Sequence, residues 1–203
     1  MKSLSEIETV SKRSSKATGF SWGIAEEVGK NTRLLEMFGL SGIKNLNYYY
    51  RIRVKKNFEK LKLINNENKK TKIEFCPIIA GLSFLDQVRS LEDFNEIKFE
   101  KIAYPLLFLP FVSRASEVIG KKIKLKIDNK LFLLSYNNSI YSNFPSNGVI
   151  EIGNSVLINF QENKDSFEEN EWKEIYRLSE NTFVEESASL KEAGAGAGLT
   201  DND

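Results

Sequence analysis

Residues 121–138 read KKIKLKIDNKLFLLSYNN, and their period of two decides the fold class. Ile123, Leu125 and Ile127 alternate with lysines, the pattern of a strand that buries one face. Asn129-Lys130 supplies a turn, and LFLLSYNN returns as the second arm of a hairpin. Residues 148–160, GVIEIGNSVLINF, repeat the device with Gly153-Asn154 as the turn. Together they predict an antiparallel meander of about four strands.

Working outward, the period changes to that of helices. Toward the N-terminus, Pro105 and Pro110 bracket PLLFLPFVSRASEVIG. This helix is apolar nearly all round, as a central core element is, with a kink or a later start expected at Pro110. IKFEKIAYP before it alternates as a strand. The unit IEFCPIIAGLSFLDQVRSL places Pro77 in a first helical turn, Ile78, Leu82, Leu85 and Val88 inward, and Gly81 at a close helix contact.

At the start of the chain, Ser3 followed by Glu6 opens a first helix running to about Ala17. The turn TGFSWG follows, with Ser21 as the cap of a second helix from Trp22 to Phe38, stopped at Gly39. From Ser41 a third helical pattern carries Ile43, Leu46, Tyr50, Phe58 and Leu61. NNENKK reads as a surface loop, and a last helix begins near Ser166. Helices first, then hairpins, then a helix define an α+β fold, with a single domain over 1–192, a possible helical lobe over 1–63, and a Gly/Ala-rich acidic tail over 193–203.

The composition restricts the chemistry. Over 203 residues the formal charge is +1 and 41% of residues are hydrophobic, so a sizeable core is available and no global field draws in nucleic acid or membrane. The chain holds no histidine and one cysteine, Cys76. Ser-His-Asp and Cys-His pairs, HExxH sites and Cys-based zinc sites are therefore excluded from this chain alone. No apolar run approaches the length of a membrane span, and the N-terminus lacks a signal-peptide core, so a cytoplasmic protein is expected.

Candidate ligand groups come from the second helix, from isolated charges in apolar runs and from the tail. Glu26 lies within reach of Lys30 as an ordinary surface pair. Glu27 is either an edge carboxylate leaning into water or a half-buried one held by Asn31 or a backbone donor, with a raised pKa. Trp22 and Arg33 flank them. Asp86 is an exposed polar position unless its helix faces a cleft, and Arg114 either snorkels to the surface or clamps a carboxylate or phosphate. Cys76 reads as a small buried hydrophobe. Between Lys44 and Lys72 many basic residues interleave with Tyr48, Tyr49 and Tyr50, a composition that single-strand binding would use, but without an accompanying nucleic-acid motif it reads as a solvated helix face.

GFSWGIAEEVGKNTRLLEMFGLSG, CPIIAGLSFLDQV, PLLFLPFVSRAS and the ending GAGAGLTDND resemble an uncharacterised bacterial family known only as a domain of unknown function, over nearly the whole chain. The resemblance carries no catalytic residue or cofactor. It implies that Trp22, Gly23, Glu26, Glu27, Gly29, Arg33 and the stretch from Gly194 to Asp203 belong to the recognisable pattern.

Two functions fit these residues. In one, the protein binds or converts a small molecule, and its tail closes over a site beside GFSWGIAEE or supplies Thr200, Asp201, Asp203 and the terminal carboxylate as ligands to a hard cation or an amine. Ordering ten glycine-rich residues costs on the order of 10 kcal/mol, so many contacts or a ligand must offset it. In the other, the protein is an accessory or assembly subunit whose tail docks into a neighbouring copy or a partner enzyme.

Overall fold

The computed structural model describes residues 2–70 and 72–183. The candidates Thr200, Asp201 and Asp203 lie outside the described residues. Two compact units divide the chain, Met1–Asn163 and Lys164–Asp203.

The first unit opens with α1 (Leu4–Ala17) and α2 (Trp22–Met37), whose caps are those the sequence specifies. Ser3 accepts from the Glu6 amide at 3.1 Å and Ser21 from the Ile24 amide at 3.4 Å. The Leu40 amide reaches back to the Leu35 carbonyl at 2.8 Å across a left-handed Gly39, closing α2 with a Schellman turn. Next come α3 (Gly42–Arg53), β1 (Glu67–Asn68), α4 (Pro77–Leu91), β2 (Ile97–Ala103), a 3₁₀ turn (Pro105–Leu107) and α5 (Leu109–Ile119). Pro110 falls in the first turn of α5, where a proline's missing N–H costs nothing, so the helix starts late and does not kink. Then follow β3 (Lys122–Ile127), β4 (Lys130–Ser135), β5 (Ser139–Ser142) and β6 (Ile152–Gln161).

The α+β class holds, with a mixed sheet of six strands ordered β1-β2-β6-β3-β4-β5. The meander is three strands long, β3 to β5, and its first turn is at Asp128-Asn129, one residue earlier than expected. The fourth strand leaves it. Gly153-Asn154 is not a turn but lies inside β6, which runs antiparallel to both β2 and β3. A Cβ on Gly153 would stand 3.0–3.1 Å from Val156, Ile127 and Pro105, so crowding and not turning explains that glycine.

Ile123, Leu125 and Ile127 of β3, Phe132 and Leu134 of β4, and Val156 and Ile158 of β6 are all buried. This inner face packs under α5, which contacts β3 and β4 and in turn packs against α4. Lys122, Lys124 and Lys126 are exposed on the other face. Along β2 the alternation is reset: Ile97 and Phe99 face inward, then a left-handed Lys101 lets Ile102 and Ala103 both turn in.

Two elements differ from their sequence pattern because backbone pairing overrides periodicity. The helical spacing through Phe58 and Leu61 is not followed, since α3 ends at Arg53. Beyond it, the Glu59 amide donates to the Glu74 carbonyl at 2.9 Å and the Cys76 amide to the Glu59 carbonyl at 2.8 Å. Within NNENKK, Glu67–Asn68 pairs in parallel with β2 as an edge strand, fastened by Asn68 Nδ2 donating to the Asn65 and Lys98 carbonyls.

In the second unit, α6 (Glu169–Glu180) starts with a capping box between Glu168 and Glu171, and Phe167 stacks on Trp172. Among the described residues no helix is long and apolar enough to cross a membrane.

Candidate functional site

Where the TGFSWG turn, the end of α3 and the start of α4 meet, a cavity of about 220 Å³ opens. Phe20 enters from the turn, Tyr49 and Arg53 from α3, Lys56, Asn57, Phe58 and Lys60 from the segment that follows, and Cys76 and Ile79 from the first turn of α4. Local sequence dictates each placement. Tyr49 is on the buried face of α3, and Arg53 follows one turn later at its C-terminal end. Pro77 starts α4 without an N–H of its own, and Cys76 is its N-cap residue.

Three of the nine lining residues are basic and none is acidic. Arg53 lies 3.9 Å above the Phe20 ring and donates through Nη1 to the Thr18 carbonyl, which fixes the guanidinium plane and leaves its other N–H groups unused by that bond. Lys60 has no carboxylate in ion-pair contact among the described residues. Lys56 pairs with Glu74 at 2.5 Å. The N-terminus of α4, whose Ile78 and Ile79 amides turn to the Cys76 sulfur, adds the positive end of a helix dipole.

At the floor, the Tyr49 hydroxyl and the Cys76 thiol are 3.0 Å apart, both buried. Burial pushes the Cys76 thiol up, more than the Tyr49 hydrogen bond and the Ile79 and Ile78 amides pull it down, so it stays a neutral thiol and not a nucleophile. Burial also raises the Tyr49 phenol well above its ordinary value. Beside it Tyr50, bonded to Ser15 Oγ, is pushed up to about 12, with burial outweighing the Ser15 and Thr18 hydrogen bonds. The floor is therefore a set of neutral hydrogen-bonding groups in a recess also lined by Arg53, Lys56 and Lys60.

A second, smaller cavity of about 70 Å³ adjoins the first and shares Lys56 and Phe58 with it. Its other walls are Ile52, Glu74, Ala103, Tyr104, Glu151 and Ile152. Tyr104 is held in the left-handed region, φ 42 and ψ 59, a strained conformation for an aromatic residue. Its amide donates to the Glu151 carbonyl at 2.8 Å.

The residues proposed from the sequence are placed elsewhere. Glu27 and Arg114 form an ion pair between α2 and α5, which Asn31 and Lys30 extend, Arg114 donating to Asn31 Oδ1 at 3.3 Å and Lys30 to Glu27 at 3.1 Å. Glu27 is half-buried as in the second expectation, but its pKa moves the opposite way. Burial would raise it, and the Arg114 hydrogen bond and charge with those of Lys30 outweigh burial, holding it below the ordinary carboxylate value. Glu26 bonds Lys12 and Lys30, and Arg33 approaches Glu8 at 3.7 Å. Trp22 is exposed under Lys16 Nζ, 5.5 Å from its ring. Asp86 is exposed on α4. The fold thus brings together Glu26, Glu27 and Arg114 through Lys30 and leaves Trp22, Arg33 and Asp86 apart from them.

Sequence reading missed Arg53, Lys56, Lys60 and Tyr49 as site residues. Their signal was the aromatic and basic interleaving of YYYRIRVKKNFEK, which periodicity assigned to a solvated helix. Among the described residues no group of three or more His, Cys, Asp and Glu side chains is arranged to hold a metal.

Fold and cavity define an α+β protein with a cationic, aromatic-walled recess at a helix N-terminus. Residues 2–79 match the model of a family described as a protein of unknown function, DUF3726, in keeping with the resemblance to a domain of unknown function. Every residue lining the larger cavity lies within the matched stretch. No curated protein and no solved structure matches the chain.

Proposed function

We propose that the protein binds a small molecule through an anionic group, carboxylate or phosphate, held in the larger cavity by Arg53, Lys56, Lys60 and the first turn of α4. The observation that carries this reading is that three basic residues, Arg53, Lys60 and the Glu74-paired Lys56, line one recess floored by neutral hydroxyl and thiol groups. Such a recess is complementary to a fixed anion, and a guanidinium held flat by Phe20 and Thr18 offers it parallel N–H donors. The site adjoins the GFSWGIAEE segment through Phe20. In this reading the acidic end of the chain, with Asp201, Asp203 and the terminal carboxylate, acts on the same recess because it carries the complementary charge.

Thermal denaturation against a panel of small carboxylates and phosphate monoesters tests the reading. At 100 times the dissociation constant a ligand stabilises by about 2.7 kcal/mol, a rise in melting temperature of roughly 5–10 °C for a chain of this size. Arg53→Gln and Lys60→Gln should each weaken the response about tenfold or more; exposed Lys60→Gln should leave the unliganded melting temperature close to that of the parent, whereas Arg53→Gln also loses its contacts to Phe20 and Thr18 and should lower it. Truncation after Glu192 should change anion affinity. If it changes only the mass of the assembly, the tail serves docking and the accessory-subunit reading replaces this one.

A further inference from the structure

The smaller cavity has the chemistry of an ammonium site, and the chain's own lysine is seated in it. Lys56 Nζ is 2.5 Å from Glu74 Oε2 and 5.8 Å from the centre of the Phe58 ring. A carboxylate beside an aromatic face is how proteins hold primary ammonium groups. Lys56 is the partner of Oε2, so the group now satisfying this carboxylate is itself a primary ammonium. Glu151 lines the same recess as a second negative charge, and Tyr104 completes the wall.

Lys56 also borders the larger cavity, so one flexible side chain serves two sites of opposite charge preference. Turning toward an anion in the first recess takes its ammonium away from Glu74 and leaves the second recess for a cation. We infer that the ligand is a zwitterion, its carboxylate or phosphate held in the larger cavity and its primary ammonium replacing that of Lys56 on Glu74 and Phe58. This rests on the anion-site reading above and adds the substrate class.

Calorimetric titration of the full chain at neutral pH with matched pairs tests this: 4-aminobutanoate against butanoate, and 5-aminopentanoate against pentanoate. The amino acid of at least one pair should bind about tenfold tighter than the plain acid. Glu74→Gln should bring that ratio close to one while the plain acid still binds. Because Glu74 is largely enclosed, Lys56→Met provides a second check at a more exposed position: both acids weaken, but the preference for the amine-bearing one rises as Glu74 loses its internal partner. Equal binding within every pair, with neither variant altering the ratio, overturns this inference and leaves the anion site standing. Binding of none of the acids overturns both.

Discussion

Glu27 shows how far one residue's chemistry depends on a partner remote in sequence. Its position on α2 predicts a half-buried carboxylate, and burial alone argues for a raised pKa. Arg114 reverses that, and nothing near Glu27 in the sequence announces an arginine 87 residues away. The consequence for stability has a definite sign. A carboxylate depressed in the folded state contributes stability present above its unfolded pKa and lost as pH falls through the folded one. Glu27→Gln should therefore lower stability by about 1–2 kcal/mol at pH 7, the scale of a partly enclosed charge-assisted hydrogen bond, and by progressively less as the pH falls below about 4.3, the ordinary carboxylate value. Urea denaturation of parent and variant from pH 3 to pH 7 checks it; a constant difference across that range would refute the linkage. Arg114, offered by the sequence as a clamp for carboxylate or phosphate, does clamp a carboxylate, and that carboxylate belongs to the chain.

At the scale of elements, starts and stops were legible wherever local chemistry sets them. Ser3, Ser21, Gly39, Pro77 and Pro110 each do what their side chains or backbone freedom require. Gly81 was legible too, and its partner is now explicit: a Cβ there would stand 2.3 Å from the Phe111 ring, where α4 meets α5. Gly81→Ala should cost about 1–3 kcal/mol by overpacking. Combining it with Phe111→Leu should recover part of that loss, a non-additivity expected of residues in contact; chemical denaturation of the two single variants and the double measures it. What could not be read was the segment after α3. Phe58 and Leu61 keep a helical spacing, but Phe58 packs on the Tyr49 ring at 5.2 Å while the Glu59 backbone bonds to residues 74 and 76. Those contacts are made with residues that periodicity does not see. The candidate site went with them, since Lys56, Phe58 and Lys60 reach the recess only because this stretch leaves the helix.

For the molecule as a whole, the class was readable and the strand order was not. Alternation identifies β3 and β4 as strands, but it breaks β6 at a turn placed on Gly153-Asn154 and cannot say that this one strand inserts between β2 and β3, because that choice is made by the buried face they share. Among the described residues, the last strand in sequence thus lies at the centre of the sheet. As the chain leaves the ribosome, β2 and β3 each wait with a row of unanswered amides and carbonyls until residue 161 has emerged, so the sheet closes late, over a long loop, at the entropic disadvantage of non-local pairing. A chain stopped after Ile150 should show no cooperative melting and should aggregate through those two bare margins, whereas one stopped after Asn163 should melt cooperatively. Exposure of an incomplete sheet during translation is then the expected weak point of such a chain, and it ends when the keystone strand arrives.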